Sequence, residues 1–251
     1  MAEEHRHVHD HGGGQDIERP RVLVFFDYAC PFCYVDHHRF EALRREIDFE
    51  VVLVPFELRP GMDEPIDLAG EGTGHSDRVD EYLERIAEKE GFPFVQPGLL
   101  PNTHRAIVLG ELARDRGEAL HRAVHAAIFE AYFVQGRDIG SDDTLLEIGV
   151  EAGLAPEEIE AAWAQGAFDD PVHQFRHLAL SLGLDGTPAA LICNELLIGS
   201  RPAGILRAAL KKCDSRLEAA REGVIEDGDS SDDPRVRPSD DFGDASASPK
   251  R

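Results

Sequence analysis

Lysine is nearly missing from this sequence. Of 26 basic residues only Lys89, Lys211, Lys212 and Lys250 are lysines, and 49 acidic residues set against them leave a formal charge of −23 over 251 residues. So negative a chain repels phosphate backbones and anionic headgroups, which sets nucleic-acid and membrane-surface binding aside as activities. No apolar run reaches the roughly 18 residues that a membrane helix needs. His5, His7, His9 and His11 stand where a secretory signal would carry its apolar core. The expectation is a soluble, cytoplasmic protein with no membrane and no nucleic-acid partner. A carboxylate surplus with so little lysine also suits a high-salt, halophilic cytoplasm, where counter-ions screen repulsion between surface charges. Four cysteines are too few for a disulfide scaffold at this length, so their placement matters more than their number.

Residues 1–20 contain Gly12-Gly13-Gly14 and no hydrophobic period, and read as a disordered His-rich tail whose alternating histidines fix no metal geometry. From Val224 onward the acidic, Ser- and Pro-containing composition also predicts a disordered tail. Between them, Val22 to Phe26 is a β-branched and aromatic run of the kind buried on both faces of a sheet. It stops at Asp27, and Pro31 suits the first turn of a helix reaching about Glu46. Phe49 to Phe56 reads as a second strand, parallel to the first through a right-handed crossover. From Gly61 to Leu184 the periods become helical. Six helices follow one another: Ser76 to Gly91, Asn102 to Gly117, Glu118 to Phe133, one opened by Ser141, one by Pro156, and one from Asp170-Pro171 to Gly183. Ala189 to Cys193 and Leu196 to Ile198 make a hairpin turning at Asn194-Glu195, and a last helix runs from Pro202 to about Lys212. The predicted fold class is α/β, a β-α-β half and a β-β-α half separated by a large all-helical insertion. Residues 21–60 with 185–213 form the sheet domain, 61–184 the insertion, and 214–251 a helix end and acidic tail.

Cys30-Pro31-Phe32-Cys33 sits where the first strand meets the first helix. Unpaired N–H groups and the positive dipole end of a helix stabilise a thiolate, so Cys30 is expected to be an acidic, exposed nucleophile. Cys33, one turn on and deeper, can attack a mixed disulfide at Cys30 and release the partner. Far along the chain, Gly186-Thr187-Pro188 precedes the hairpin, and a cis bond is accessible at Thr187-Pro188. If this loop faces Cys30, proline keeps a backbone N–H away from the thiolate and Thr187 can pair with an extended substrate. Asp27 reads either as a proton relay for Cys33 or as a strand-end residue capping the helix. Cys30, Cys33 and His37 have half the spacing of a zinc site but lack the other half, so no metal is assigned. Cys193 reads as a core thiol ending a strand and Cys213 as an exposed or half-buried thiol, with nothing in the sequence to fix the separation a bridge needs. His37 and His38 read as exposed helix positions. Trp163 and Phe92-Pro93-Phe94 read as insertion core, or as the lining of a groove over Cys30.

Phe26-Asp27-Tyr28-Ala29-Cys30-Pro31-Phe32-Cys33-Tyr34, followed by Pro55-Phe56-Glu57-Leu58, resembles the FrnE-like branch of the DsbA family. Pro101-Asn102-Thr103, Ala131-Tyr132-Phe133, Gly136-Arg137-Asp138-Ile139 and Gly186-Thr187-Pro188 extend the resemblance over residues 21–213. It implies a thioredoxin-like fold with a helical insertion and thiol–disulfide oxidoreductase activity on protein or small-molecule thiols and disulfides. Cys30 would be the nucleophile and Cys33 the resolving thiol, with Pro31, Phe32, Thr187 and Pro188 facing the substrate. No cofactor is implied beyond the dithiol itself, with a low-molecular-weight thiol as a co-substrate. Pro31-Phe32 departs from the Pro-Trp usual in that branch, so the redox potential does not carry over. A reducing cytosol turns the expectation toward reduction, isomerisation or a small-thiol substrate. Two alternatives remain: a glutathione-dependent isomerase of the 2-hydroxychromene-2-carboxylate type, which typically has serine where Cys30 stands, and a non-enzymatic partner-binding module.

Overall fold

Alternation along β1 (Arg21–Phe26) organises the molecule: Val22 and Val24 enter one hydrophobic cluster, while Phe25 and Leu23 join another on the opposite face. A strand covered on both faces needs no polar positions, which is why this run has none between Val22 and Phe26. The computed structural model describes residues 19–68 and 77–222. After β1 come α1 (Pro31–Leu43), β2 (Glu50–Pro55), β3 (Ile66–Asp67), α2 (Asp77–Glu90), β4 (Leu99–Leu100) and α3 (His104–Arg116). Then follow α4 (Glu118–Phe133), α5 (Asp142–Glu151), α6 (Pro156–Gln165), α7 (Asp169–Ser181), β5 (Ala189–Ile192), β6 (Glu195–Ile198) and α8 (Ala203–Arg221).

The sheet order is β2-β1-β5-β6. β1 pairs parallel with β2 from Arg21↔Glu50 to Phe26↔Pro55, and antiparallel with β5 from Val22↔Ile192 to Phe25↔Ala189. Phe40 and Leu43 of α1 and Leu206 and Leu210 of α8 cover one face; Phe175 and Ala179 of α7 cover the other. The helices α3 to α6 pack into a third core that takes in Phe26, Tyr28, Cys33 and Tyr34, so the insertion is seated directly on the end of β1 and the start of α1. Between α3 and α4 the chain reverses at Gly117, whose φ of 128° disfavours any residue with a side chain.

The sequence reading needs four corrections here. The insertion is not wholly helical, because β3 and β4 pair as a short ribbon, too brief to leave a period in the sequence. The hairpin turns one residue early, at Cys193-Asn194, with Ile192 opposite Glu195 and Cys193 in the left-handed region at φ 52°. α8 runs well past Lys212, to Arg221. Finally, Cys193 is a turn residue and Cys213 is buried in the core face of α8, and the two form a disulfide with Cα atoms 5.9 Å apart. The two meet because the hairpin turns at Cys193 while Cys213 lies on the core face of α8 with Leu206 and Leu210. Most of the expected N-terminal tail, the acidic tail beyond residue 222 and the cap at Ser76 lie outside the described residues. No described helix is long and apolar enough to cross a membrane.

Candidate active site

Chain geometry places the first cysteine at the mouth of α1. β1 ends at Phe26, a turn follows, and Cys30 is the residue before the helix, with Pro31 at its first position, where a missing N–H costs nothing. The Cys30 N–H donates to the Asp27 carbonyl at 3.1 Å, and the N–H groups of Cys33 and Tyr34 donate to the Cys30 carbonyl at 3.0 and 3.3 Å. No side chain caps this helix, so its first N–H groups and dipole act on Cys30 without competition. The Thr187-Pro188 peptide is cis, and the Thr187 carbonyl accepts from Cys30 Sγ at 3.5 Å. Both cysteines of the pair are free thiols.

Cys30 is not exposed, contrary to the sequence reading: 6% of its surface is accessible, against 3% for Cys33. The insertion roofs the start of α1, so Cys30 opens instead into a cavity of about 300 Å³ whose wall includes Pro31, Leu58, Leu100, Tyr132 and Phe133. The two thiols differ in acidity. The Cys30 thiol is held below its ordinary range, chiefly by the hydrogen bond from the Cys33 thiol, which outweighs burial, with a further contribution from the Cys33 backbone N–H. The Cys33 thiol is pushed well above that range, first by burial and then by the same hydrogen bond to Cys30. One shared proton thus favours charge on the outer sulfur.

Phe32 is half-buried beside Cys30, its ring centroid 6.3 Å from that of Tyr82. Asp27 is fully buried and does not cap α1. Its carboxylate accepts from the Ala29 N–H at 2.8 Å and the Leu58 N–H at 2.7 Å, tying the turn that carries the cysteines to the chain after β2. Burial raises its pKa, while those two N–H bonds and Thr103 oppose the rise. His37 and His38 are half-buried, not exposed: His38 stacks on Phe92 at 4.4 Å and His37 lies 5.2 Å from His125. Phe92 and Phe94 surround Tyr34, whose hydroxyl donates to the Pro93 carbonyl at 2.7 Å, and Trp163 packs at the edge of the same core.

Sequence reasoning missed two supports of this site. Tyr28, fully buried, meets His125 Nδ1 through its hydroxyl at 3.2 Å, coupling the cysteine turn to α4. Arg39 on α1 grips Glu90 at 2.9 and 2.6 Å, Ser200 at 2.8 Å and the Arg201 carbonyl at 3.0 Å, and it pairs with buried Asp36. The signal available was an Asp36–Arg39 pair at helical spacing; its distant partners left none. Among the described residues no three histidine, cysteine or acidic side chains stand together as a metal site.

A thioredoxin-like sheet, a dithiol at a helix start and a cis-proline loop facing it define a class of thiol-bearing proteins. Residues 21–211 match the DSBA-like thioredoxin domain, and the chain belongs to that family. It is similar to a probable DsbA oxidoreductase from Streptomyces coelicolor, 29% identical, with 78% of this chain and 90% of that one covered at a TM-score of 0.70. Its fold is also shared by a 2-hydroxychromene-2-carboxylate isomerase, 19% identical over 82% of this chain and all of the other, TM-score 0.65. The cytosolic disulfide reductase DsbM from Pseudomonas aeruginosa, solved with GSH, is 22% identical over 80% and 99% of the two chains, TM-score 0.55.

Proposed function

We propose that the chain is a thiol–disulfide oxidoreductase that exchanges disulfides with protein or small-thiol substrates through Cys30 and Cys33, and that in the cell it works in the cytoplasm toward reduction. The observation that carries this reading is the contact of Cys30 Sγ with the Thr187 carbonyl at 3.5 Å, beside the Pro188 ring that removes a competing N–H. In the reducing direction the Cys30 thiolate attacks one sulfur of a substrate disulfide, forming a mixed disulfide and expelling the other sulfur as a thiolate. Cys33, deprotonated as it attacks Cys30 Sγ, closes the Cys30–Cys33 disulfide and releases the second substrate thiol. Two electrons pass to the substrate, and two equivalents of a low-molecular-weight thiol return them. Pro31, Phe32, Thr187 and Pro188 would border the bound substrate.

The cytosolic disulfide reductase with the same fold, solved with GSH, supports both the direction and a small-thiol partner. In the Cys193–Cys213 bridge the buried Cys213 sulfur is shielded from an attacking thiolate, which leaves the half-buried Cys193 sulfur as the one open to attack. Isomerisation of the 2-hydroxychromene-2-carboxylate type needs no resolving thiol, so a Cys33 hydrogen-bonded to Cys30 favours exchange over it. A non-enzymatic binding role would leave the acidity of Cys30 without use. The test is trapping: Cys33→Ser, incubated with disulfide-bearing substrate or glutathione disulfide, should accumulate a mixed disulfide that Cys30→Ser does not form. Failure of Cys33→Ser to accumulate any adduct overturns the reading.

A further inference from the structure

Cys193, at φ 52°, holds a left-handed backbone conformation that no other described residue with a side chain adopts. A two-residue hairpin turn usually gives such a position to glycine or asparagine, which bear it at little steric cost. Backbone outliers persist only where their surroundings hold them, and they gather at functional sites and switches. Two constraints hold this one: the ladder that puts Ile192 opposite Glu195, and the sulfur bond to Cys213. Opening the bond removes one of the two.

The bridge also has a direction. Cys213 is buried on the core face of α8, while Cys193 is half-buried at the tip of the hairpin. Exchange depends on which sulfur can be reached, and the outer sulfur belongs to Cys193. The dithiol of the same chain cannot reach it, because β5 lies between Cys193 and the Thr187-Pro188 loop and sets the two about 15 Å apart. Cys30 of a second copy is enclosed beside its own cavity. The attacker that remains is a free small thiol.

Residues inside the bridged loop touch the active site. The Gly199 N–H donates to the Pro188 carbonyl at 2.9 Å, and Arg39 of α1 donates to Ser200 Oγ at 2.8 Å and to the Arg201 carbonyl at 3.0 Å. The segment closed by Cys193 and Cys213 thus fastens the loop whose Thr187 carbonyl lies on Cys30 Sγ at 3.5 Å.

We propose that Cys193 and Cys213 are a second thiol–disulfide couple, a redox switch that a low-molecular-weight thiol opens at Cys193, and that its opening loosens the Thr187-Pro188 loop over Cys30. The small thiol, as thiolate, attacks Cys193 Sγ. A mixed disulfide forms there, the bond to Cys213 breaks, and the Cys213 sulfur takes up the proton that the small thiol gave up. A second small thiol attacks the mixed disulfide, leaves Cys193 as a thiol and departs as the small disulfide. Two small thiols thereby pass two electrons to the bridge. The freed Cys213 packs as a small apolar thiol beside Leu206 and Leu210.

The first test uses the full chain with Cys30→Ser and Cys33→Ser, so that the bridge is the only couple left, in native buffer with glutathione and its disulfide at the ratio of a reducing cytosol. Alkylation followed by peptide mass spectrometry should find Cys193 and Cys213 as free thiols. With Cys213→Ala added, glutathione disulfide should leave one glutathione on Cys193, whereas Cys193→Ala in its place should leave Cys213 unmodified. A bridge that stays closed until urea unfolds the chain overturns the proposal, as does an adduct on Cys213. The link to the loop is read from the alkylation rate of Cys30 in Cys33→Ser, with the bridge intact and with it removed by Cys193→Gly and Cys213→Ala, glycine being suited to the left-handed position. Cys30 should react about threefold faster without the bridge. Opening the bridge with a phosphine gives the same comparison with no substitution in the loop, and equal rates overturn the switch. Neither readout uses exchange by Cys30, which the trapping experiment tests separately.

Discussion

The Sγ of Cys30 lies 3.5 Å from the carbonyl of Thr187, a residue 157 positions further along the chain. Strand register makes this contact: β1 and β5 pair through Phe25↔Ala189, so the residues just beyond, Cys30 by way of its turn and Pro188 directly, meet at the same end of the sheet. A slip of one residue would turn every side chain of β5 to the other face and withdraw the loop from the thiol.

The acidity of Cys30 should be measurable against its partner. Alkylation rate against pH should place the Cys30 thiolate below the free-thiol value of about 8.5. Because the hydrogen bond from Cys33 is the chief cause, Cys33→Ala should raise that midpoint while leaving Cys30 reactive. A more acidic thiol at Cys33 than at Cys30 would reverse the two roles.

Acid should unfold the protein over a defined window. His121 titrates at about 4 in the folded chain and near 6.5 unfolded, so its contribution is complete above pH 6.5 and is lost as pH falls through 4. That shift is worth roughly 3 kcal/mol by its lower end. His37, at about 3, extends the loss further down. His121→Phe should move the acid midpoint of unfolding, followed by circular dichroism, to lower pH. Asp36, pushed by burial up to about 7, acts with the opposite sign, withdrawing stability as pH rises from 4 through 7.

Gly110 on α3 has no room for a methyl group. A Cβ there would stand 2.8 Å from the hydroxyl of Tyr28, which cannot retreat because it is fully buried and bonded to His125. Gly110→Ala should therefore destabilise the fold by about 1–3 kcal/mol, read as a lowered thermal midpoint, and an unchanged midpoint would mean that Tyr28 is free to move.

Salt should stabilise the chain. With a net charge of −23 and exposed pairs such as Arg207–Glu46 contributing little, screening of carboxylate repulsion is expected to govern the response to salt. The Debye length falls from about 8 Å at physiological salt to about 3 Å at 1 M. The thermal midpoint should rise with potassium chloride into the molar range. A flat profile would remove the halophilic reading without touching the cysteines.

Much of this arrangement was legible because it is local. Val22 to Phe26 announces a doubly buried strand, Pro31 announces a helix start, and the Cys30–Cys33 spacing puts both thiols at that start. What could not be read depends on distant packing. His37 and His38 look like surface residues until α4 and Phe92 are laid over α1. The Asp27 carboxylate reads from sequence as a proton relay or a cap, and its tie to the Leu58 N–H depends on the chain after β2. The burial of Cys213 was within reach, because Leu206, Leu210, Cys213 and Leu217 continue one helical stripe past Lys212 into the core. Only the hairpin register, fixed by pairing rather than by turn residues, hid where Cys193 would point.

The bridge makes the chain a lariat. Cys193 and Cys213 are 20 residues apart, and the loop they close contains β6 and the first half of α8. A protease that cuts once inside this loop leaves both pieces joined, running as one species until a reductant separates them. The state of the bridge in a given compartment can therefore be read from a single nick, with no reference to the activity of Cys30.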